Sequence, residues 1–154
     1  MDKKEVLREY LEYLDRKIGE TQKALDSIYH GIDTAPTPSE SHSDTTRSQQ
    51  SKIAAETSDR ISSLKKTRAM ASLISSEGAG CIGVGALVAI EDISFGGMEY
   101  YFVVPGQGGE SLFLGDAEVM SISLQAPILE AISSAKERDL LDFRGRKLKL
   151  VSIS

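Results

Sequence analysis

Three side chains, the thiol of Cys81 and the imidazoles of His30 and His42, are the first candidates for chemistry in this chain. A cysteine acts as a nucleophile when a base such as histidine lies beside it and favours the thiolate. Both histidines fall in or next to a polar segment between two helical patterns, far along the chain from Cys81. We therefore expect no Cys–His pair, and interpret Cys81 as a small buried residue at the start of a strand. Two histidines alone are also too few ligands for a metal site.

A glycine-rich run, Gly78-Ala79-Gly80-Cys81-Ile82-Gly83, matches the G-x-G-x-x-G pattern of dinucleotide-binding loops. In those loops a strand precedes the motif and a helix follows it, because the phosphates sit at the helix N-terminus. Here a helical pattern precedes and a strand pattern follows, so we predict a flexible elbow and no nucleotide site. The glycine-rich turn at 105–109 has no nucleophile–base pair to support an enzyme site.

The charge balance narrows the classes of partner. The chain carries 23 acidic and 18 basic residues, and its net charge of −5 argues against a basic clamp for nucleic acid. The basic cluster Arg144, Arg146, Lys147 and Lys149 is interpreted as a solvated strand rather than an RNA contact. A single cysteine excludes an internal disulfide. No apolar run is long enough to span a bilayer or to act as a signal peptide, so we expect a cytoplasmic protein without membrane contact.

The first half of the chain has the spacing of a coiled-coil seam, at Leu7, Leu11, Leu14, Ile18, Thr21, Leu25 and Ile28. This pattern predicts a first helical arm over residues 2–31, with Asp2 as N-cap and His30-Gly31 as the stop. A second arm over residues 46–76 is predicted by a weaker seam at Ala54, Thr57, Ile61, Leu64, Ala71 and Ile74. The two arms should fold back on each other as an antiparallel hairpin, each roughly 45 Å long at about 1.5 Å per residue.

The second half changes to short alternating apolar runs separated by glycine-rich breaks. Strands are predicted at 84–90, 100–104, 118–122 and 147–153. A short helix is predicted from Pro127 to about residue 135, because proline suits the first turn of a helix. The predicted fold class is therefore α+β: an antiparallel coiled-coil hairpin over 1–77, with its tip at 32–46, followed by a small antiparallel sheet domain with one short helix over 78–154.

The order of these elements resembles that of the Gre family of bacterial transcription elongation factors. Four segments of the second half also resemble the family: residues 83–88 (GVGALV) its opening strand, 100–106 (YYFVVPG) its second strand, 119–132 (VMSISLQAPILEAI) its strand and short helix, and 146–153 (RKLKLVSI) its closing strand. The resemblance covers nearly the whole chain in order and spacing. It implies an FKBP-like second domain without prolyl isomerase activity.

The same resemblance implies a function. The second domain would dock at the rim of the secondary channel of core RNA polymerase through the Ala126-Pro127 segment, and the hairpin would enter that channel. Acidic residues at the tip would hold a Mg²⁺ ion shared with the polymerase and would help the polymerase cut backtracked RNA. Contact of this protein with nascent RNA would therefore be indirect. The chain offers Glu40 and Asp44, with Asp33 as a further candidate. The polymerase would supply the catalytic centre, so the protein would be a monomeric factor with no cofactor of its own.

The chain departs from the family at two places. Glu40 and Asp44 are four residues apart rather than three, and the tip contains Pro36 and Pro38, so the two acids can also be a solvated carboxylate and an N-cap. Arg138 stands before Asp139, where the family usually has Gly-Asp. The resemblance therefore implies a regulator that occupies the secondary channel, with transcript cleavage as a possible further activity. The alternative class is a coiled-coil scaffold with a peptide-binding β domain, because two unequal seams can also pair between chains.

Overall fold

The computed structural model describes residues 1–34, 46–77, 80–133 and 135–154. Its elements, in chain order, are α1 (Lys3–Thr34), α2 (Thr46–Ala71), β1 (Leu87–Asp92), β2 (Met98–Val103), β3 (Ser111–Leu114), β4 (Ala117–Ile122), α3 (Pro127–Ile132), β5 (Leu140–Phe143) and β6 (Arg146–Ile153). The chain divides into two compact units, one formed by Met1–Glu12 with Met70–Ser154 and the other by Tyr13–Ala69. The division predicted after residue 77 stays a prediction.

The unit Tyr13–Ala69 is a pair of antiparallel helices. Arg68 Nε of α2 donates a hydrogen bond to Asp15 Oδ1 of α1 over 2.8 Å, whereas Gln50, near the start of α2, lies against Gly31, near the end of α1. The two contacts place the start of one helix beside the end of the other. Between the helices lies an apolar cluster of Leu25, Ala54, Ile61, Ile28 and Ile32. The predicted hairpin of helices is confirmed.

The C-terminal ends of both helices differ from the predicted ones. α1 continues through Gly31 to Thr34, so the predicted stop at His30-Gly31 is wrong. A Cβ on Gly31 would lie 3.0 Å from Gln50 Nε2, so glycine here allows close approach of α2 rather than helix termination. α2 ends at Ala71 instead of residue 76. The serines that follow compete for backbone hydrogen bonds, as Ser75 Oγ does by accepting one from the Glu77 amide over 3.2 Å.

The second half forms one six-stranded sheet in the order β3-β4-β2-β1-β6-β5. Among the described residues four neighbouring pairs are antiparallel and one, β2–β4, is parallel, with Tyr100 opposite Val119. Four strands and the short helix were predicted from the sequence, and the α+β fold class is confirmed. The two strands that were missed, β3 and β5, have four residues each and form the two edges of the sheet.

Both faces of the sheet are covered in their central part. On one face α3 inserts Ile128, Leu129 and Ile132 into a core that includes Val88, Ile90, Val103, Ile122, Leu148 and Leu150. On the other face Tyr10 of α1 packs edge-on against Phe102, with 5.9 Å between ring centroids. Burial raises the pKa of Tyr10 to about 12, and the charge of Glu110 adds to this effect. The beginning of α1 is therefore part of the sheet's core, which its seam pattern did not predict.

Gly108 lies so close to the backbone at the end of β4 that a side chain there would clash. A Cβ there would lie 2.4 Å from Ile122 Cα and 2.6 Å from the Ser121 carbonyl oxygen. Since both are backbone atoms, we expect Gly108→Ala to lower the free energy of unfolding by about 1–3 kcal/mol. Gly83→Ala is the matched control, because a Cβ on Gly83 meets nothing within 4 Å. Equal denaturation midpoints for the two variants would contradict this prediction.

Candidate functional site

The segment Ala126-Pro127 starts the short helix α3. Ala126 is the N-cap, with an extended backbone (φ −64°, ψ 130°), and Pro127 occupies the first turn, where its fixed φ suits a helix. The Ala126 amide donates to the Ser123 carbonyl over 3.0 Å, and the Leu129 amide donates to the Ala126 carbonyl over 2.9 Å. Since the opposite face of α3 is buried in the core, Pro127 is held at the surface in a fixed position.

A concavity of about 350 Å³ lies beside this helix start, and we call it the α3-side concavity. It is lined by Val84, Val104, Gly106, Gln107, Ser123, Leu124 and Gln125. Two of its apolar side chains are well exposed, Val84 by 44% and Leu124 by 52%. The two side chains line one concavity, so they expose apolar surface together rather than singly.

The walls of the α3-side concavity come from the ends of β2 and β4. These strands are parallel, so their carboxyl ends lie at the same edge of the sheet. The Val104 amide donates to the Ile122 carbonyl over 2.8 Å and thereby joins the two strand ends. The glycine-rich turn is held in the same way, because the Gly109 amide donates to the Ser121 carbonyl over 2.7 Å. The walls of the concavity are therefore held together by backbone hydrogen bonds.

The lining of the α3-side concavity is neutral. Its polar side chains are Gln107, Ser123 and Gln125, and its other lining residues are apolar or glycine. Such a surface offers hydrogen bonds and apolar area but no charge for a phosphate and no nucleophile–base pair. The chemistry it supports is the binding of a protein surface.

The three tip acids are only partly placed by the structure. Asp33 is exposed in the last turn of α1, whereas Glu40 and Asp44 lie outside the described residues. Among the described residues there is no group of three or more His, Cys, Asp or Glu side chains that could hold a metal ion. Carboxylate oxygens are the ligands that Mg²⁺ prefers, so the donor chemistry of the tip fits that ion. The assignment of these acids stays a prediction.

The other candidate groups of the sequence are located as follows. Cys81 is exposed, so its expected burial is wrong, and the cause is that β1 begins only at Leu87. His30 lies exposed on α1, and His42 is outside the described part of the chain. Gly78 and Ala79 of the glycine motif also fall outside it. The motif follows α2 and precedes β1, which is the reverse of the order in a dinucleotide-binding loop.

Two of the four cations in the basic cluster of the closing strand are paired with acids. Arg146 forms ion pairs with Asp92 and Glu99, and Lys149 Nζ lies 3.3 Å from Glu91 Oε2. The Arg144 guanidinium lies 5.3 Å from the centroid of the Phe143 ring. Successive strand residues also point to opposite faces, so these cations do not form one surface. This arrangement supports the interpretation of a structural strand rather than an RNA contact.

Asp92 is the buried member of this ion-pair network, and only 4% of its side chain is exposed. Burial opposes its ionisation, but hydrogen bonds from Arg146 and from the amides of Phe95 and Ser94 outweigh this effect and lower the pKa of Asp92. Because the folded pKa is depressed, the stabilisation is present above the unfolded pKa of about 3.9 and is lost as the pH falls through the folded value.

We therefore expect Arg146→Met to lower Tm, with a larger difference from wild type near pH 7 than near pH 3, because the stabilisation that the charged carboxylate gains from Arg146 declines as the pH falls toward the folded pKa of Asp92. Thermal unfolding followed by circular dichroism across this range measures it. Arg144→Met, which removes a guanidinium from a ring face instead, is the control. A Tm difference that does not depend on pH would contradict the role assigned to Arg146.

Arg138 marks the position at which the sequence departs from the family's Gly-Asp turn. Its φ is 76°, in the left-handed region that glycine adopts at little cost. The Arg138 amide donates to the Leu150 carbonyl over 2.6 Å, which fixes the turn onto β6. The backbone here thus has a conformation that glycine favours, although the residue is arginine.

The helices of the described residues include none that is both long enough and apolar enough to cross a bilayer.

No protein-family model and no curated protein sequence matches this chain. Among solved structures, it is similar to the GreA factor homolog 1 (Gfh1) protein of Thermus thermophilus, with 25% identity over 94% of this chain and 94% of that chain and a TM-score of 0.36. It is also similar to Gfh1 of Thermus aquaticus, with 26% identity over 99% and 94% of the two chains and a TM-score of 0.34. A further structure of the transcription factor Gfh1 is 22% identical, with the same coverage and a TM-score of 0.35.

Proposed function

We propose that this protein is a transcription factor of the Gre type that binds core RNA polymerase in the bacterial cytoplasm. The α3-side concavity and Pro127 dock at the rim of the secondary channel, and the pair of helices α1 and α2 enters the channel. The protein acts as a monomer. Catalysis belongs to the polymerase, and this chain supplies binding surface and tip carboxylates.

The observation that carries this proposal is the agreement between the resembling segments and the elements of the structure. Residues 100–106 run along β2 and past its end, residues 119–132 contain the last four residues of β4 and all of α3, and residues 146–153 form β6, whereas only the last two residues of 83–88 belong to β1. The Ala126-Pro127 pair begins α3, as the resemblance implies. A pair of antiparallel helices precedes these elements, in the same order as in the family.

Pairing of the helices within one chain also supports a factor over a scaffold. Leu25 and Ile61 are buried by 94% and 95%, respectively, in the cluster that α1 and α2 share, since their exposed fractions are 6% and 5%. The ion pair between Asp15 and Arg68 joins the helices as well. The weak seam of α2 is therefore occupied by α1 of the same chain, and we expect a single species at monomer mass in a concentration series.

The docking surface is tested by placing a charge in its centre. Leu124→Asp should weaken binding to core RNA polymerase by at least about tenfold, because a carboxylate would be desolvated in an apolar contact at a loss of 1.4 kcal/mol or more. Binding is measured by fluorescence anisotropy of the labelled protein titrated with core polymerase. Leu140→Asp is the matched control, because Leu140 is 70% exposed on the edge strand β5.

Two results would contradict the proposal. One is the absence of polymerase binding by the wild type at micromolar concentration and low salt. The other is binding by wild type that an established Gre factor in excess does not displace, which would place the contact outside the secondary channel. If Leu124→Asp and Leu140→Asp weakened polymerase binding equally, the α3-side concavity would not be the docking surface. RNA polymerase would still be the partner.

A further inference from the structure

The strand β3 forms one edge of the sheet, and in the described part of the chain no strand lies on its outer side. Leu114 is its last residue before the two-residue turn Gly115-Asp116 that leads into β4, and residues that flank such a turn exchange hydrogen bonds. Bonded and non-bonded pairs alternate along antiparallel strands, so Leu112 is hydrogen-bonded to β4 in the same way. The backbone N–H and C=O groups of Ser111 and Phe113 therefore point away from β4, toward the open edge.

A concavity of about 450 Å³ lies along this edge, and we call it the β3-edge groove. Its lining residues come from the start of the chain and from the end of β3 with the turn that follows: Met1, Asp2, Glu5, Arg8 and Glu9, and Phe113, Leu114 and Gly115. All of them belong to the unit formed by Met1–Glu12 with Met70–Ser154. One wall of the groove is thus the beginning of α1, and the other wall is the edge of β3.

The two faces of the sheet differ beside this groove. Leu112 lies opposite Val119, and Val119 lies opposite Tyr100. These side chains share the face of Phe102, which α1 covers. Phe113 follows Leu112 in the strand, so its side chain points to the opposite face, where it is 65% exposed. A further strand at this edge would therefore place its side chains alternately beside α1 and beside Phe113.

The α1 wall of the β3-edge groove is acidic. Within the described residues Asp2, Glu5 and Glu9 form no ion pair. Arg8, the basic side chain of this wall, has its Nε 3.9 Å from Glu12 Oε1. The strand wall carries no lysine or proline, the residues that commonly protect an exposed sheet edge. Three carboxylates and a set of outward backbone groups are therefore left to interact with a partner.

We propose that the β3-edge groove binds an extended segment of another protein, which joins the sheet as a strand beside β3. The backbone of that segment would hydrogen-bond to Ser111 and Phe113. Because side chains alternate along a strand, lysine or arginine at every second position would meet the acidic wall, and the apolar side chains between them would lie beside Phe113. The acidic wall disfavours nucleic acid and anionic lipid surfaces by like-charge repulsion.

Hydrogen exchange of backbone amides in the full-length, ¹⁵N-labelled protein tests this proposal. The probe is a short synthetic peptide of alternating lysine and valine. A peptide of the same composition, with its lysines and valines in two blocks, tests the alternation, and a glutamate–valine counterpart tests the charge. The opposite edge of the sheet, β5, provides the internal control. Counted from its two-residue turn Arg144-Gly145, the amides of Leu140 and Asp142 are the ones that point outward there.

The proposal expects the amides of Ser111 and Phe113 to exchange rapidly in the free protein. With a saturating amount of the alternating lysine peptide their exchange should become slower by roughly tenfold or more, because the added strand occupies both donors. The amides of Leu140 and Asp142 should keep their exchange rates.

Two sets of variants separate the contributions of charge and backbone. Glu5→Gln with Glu9→Gln should weaken the affinity for the lysine peptide roughly threefold or more. Glu56→Gln with Asp59→Asn, the same change of charge on α2, should not. Phe113→Pro removes an outward donor and leaves the hydrogen bonds to β4 in place, so it should weaken binding more than Phe113→Ala, which removes only the side chain.

The proposal is overturned if the outward amides of β3 are not protected at millimolar peptide, if both sheet edges are protected equally, or if the block or glutamate peptide acts equally. Protection of Ser111 and Phe113 without peptide would also overturn it. The edge would then be covered by the protein itself or, if protection follows protein concentration, by a second copy. None of these outcomes depends on polymerase binding.

Discussion

Replacement of Glu40 and Asp44 by alanine together is expected to abolish the stimulation of RNA cleavage in backtracked transcription complexes. Under the proposed function these carboxylates lie at the tip of the helix pair, where they meet the polymerase active centre. A Mg²⁺ ion held there would supply an activated water. The loss of the carboxylates should lower the stimulated rate on the order of 100-fold, the range in which positioned acid–base groups contribute. The measurement is the rate of 3′ RNA shortening in stalled complexes.

A control variant must show that the loss of two negative charges elsewhere on the protein does not by itself slow cleavage. Glu56→Ala with Asp59→Ala removes two exposed carboxylates from α2 and should leave the cleavage rate within a factor of two, roughly the effect of surface substitutions elsewhere. Cleavage by the tip variant at the wild-type rate would remove Glu40 and Asp44 from the site. A wild-type protein that binds polymerase without stimulating cleavage would leave only the role of a channel-binding regulator.

Phe102→Ala is expected to lower the free energy of unfolding by about 3–5 kcal/mol, the usual cost of removing a fully buried aromatic ring. Phe102 has no exposed surface, is the fifth of the six residues of β2, and meets the Tyr10 ring at an interplanar angle of 70°. A loss of this size is a large part of the total stability of a small domain, about 5–15 kcal/mol. Since the chain has no tryptophan, urea unfolding is best followed by circular dichroism.

Phe95→Ala provides the matched comparison for this substitution. Phe95 has 82% of its surface exposed in the turn after β1, so the same chemical change should cost within about 0.5 kcal/mol. Similar midpoints for the two variants would mean that the Tyr10–Phe102 contact does not stabilise the sheet unit.

The sequence predicted those features that depend on local periodicity. The seam of α1 and the alternation in β2 and β4 require only the spacing of apolar residues, and Pro127 at the first turn of α3 requires only its fixed φ. The edge strands β3 and β5 were missed because four residues give too short a pattern for an alternating run. The role of Gly31 was missed because its contact with Gln50 depends on how α1 and α2 pack.

The start of α3 was predicted, but the concavity beside it was not. Ala126-Pro127 was predicted through resemblance, whereas Val104 joins it because β2 and β4 pair in parallel, and Val84 joins it because the Gly85 amide donates to the Val103 carbonyl over 2.7 Å. No local pattern reveals that pairing. For the same reason the ion pairs of Arg146 were missed, since Asp92 and Glu99 lie 54 and 47 positions away along the chain. Contacts between distant segments follow from the topology of the sheet rather than from spacing.

Site-specific crosslinking can detect the proposed entry of the helix pair into the secondary channel of RNA polymerase. A photo-reactive amino acid in place of Asp33, in the last turn of α1, should crosslink to a polymerase subunit that lines the channel near the active centre. An established Gre factor in excess should abolish that crosslink. The account is contradicted if the probe at position 33 yields no crosslink to polymerase while a probe in place of Leu124 does, because the protein would then dock without inserting its helices.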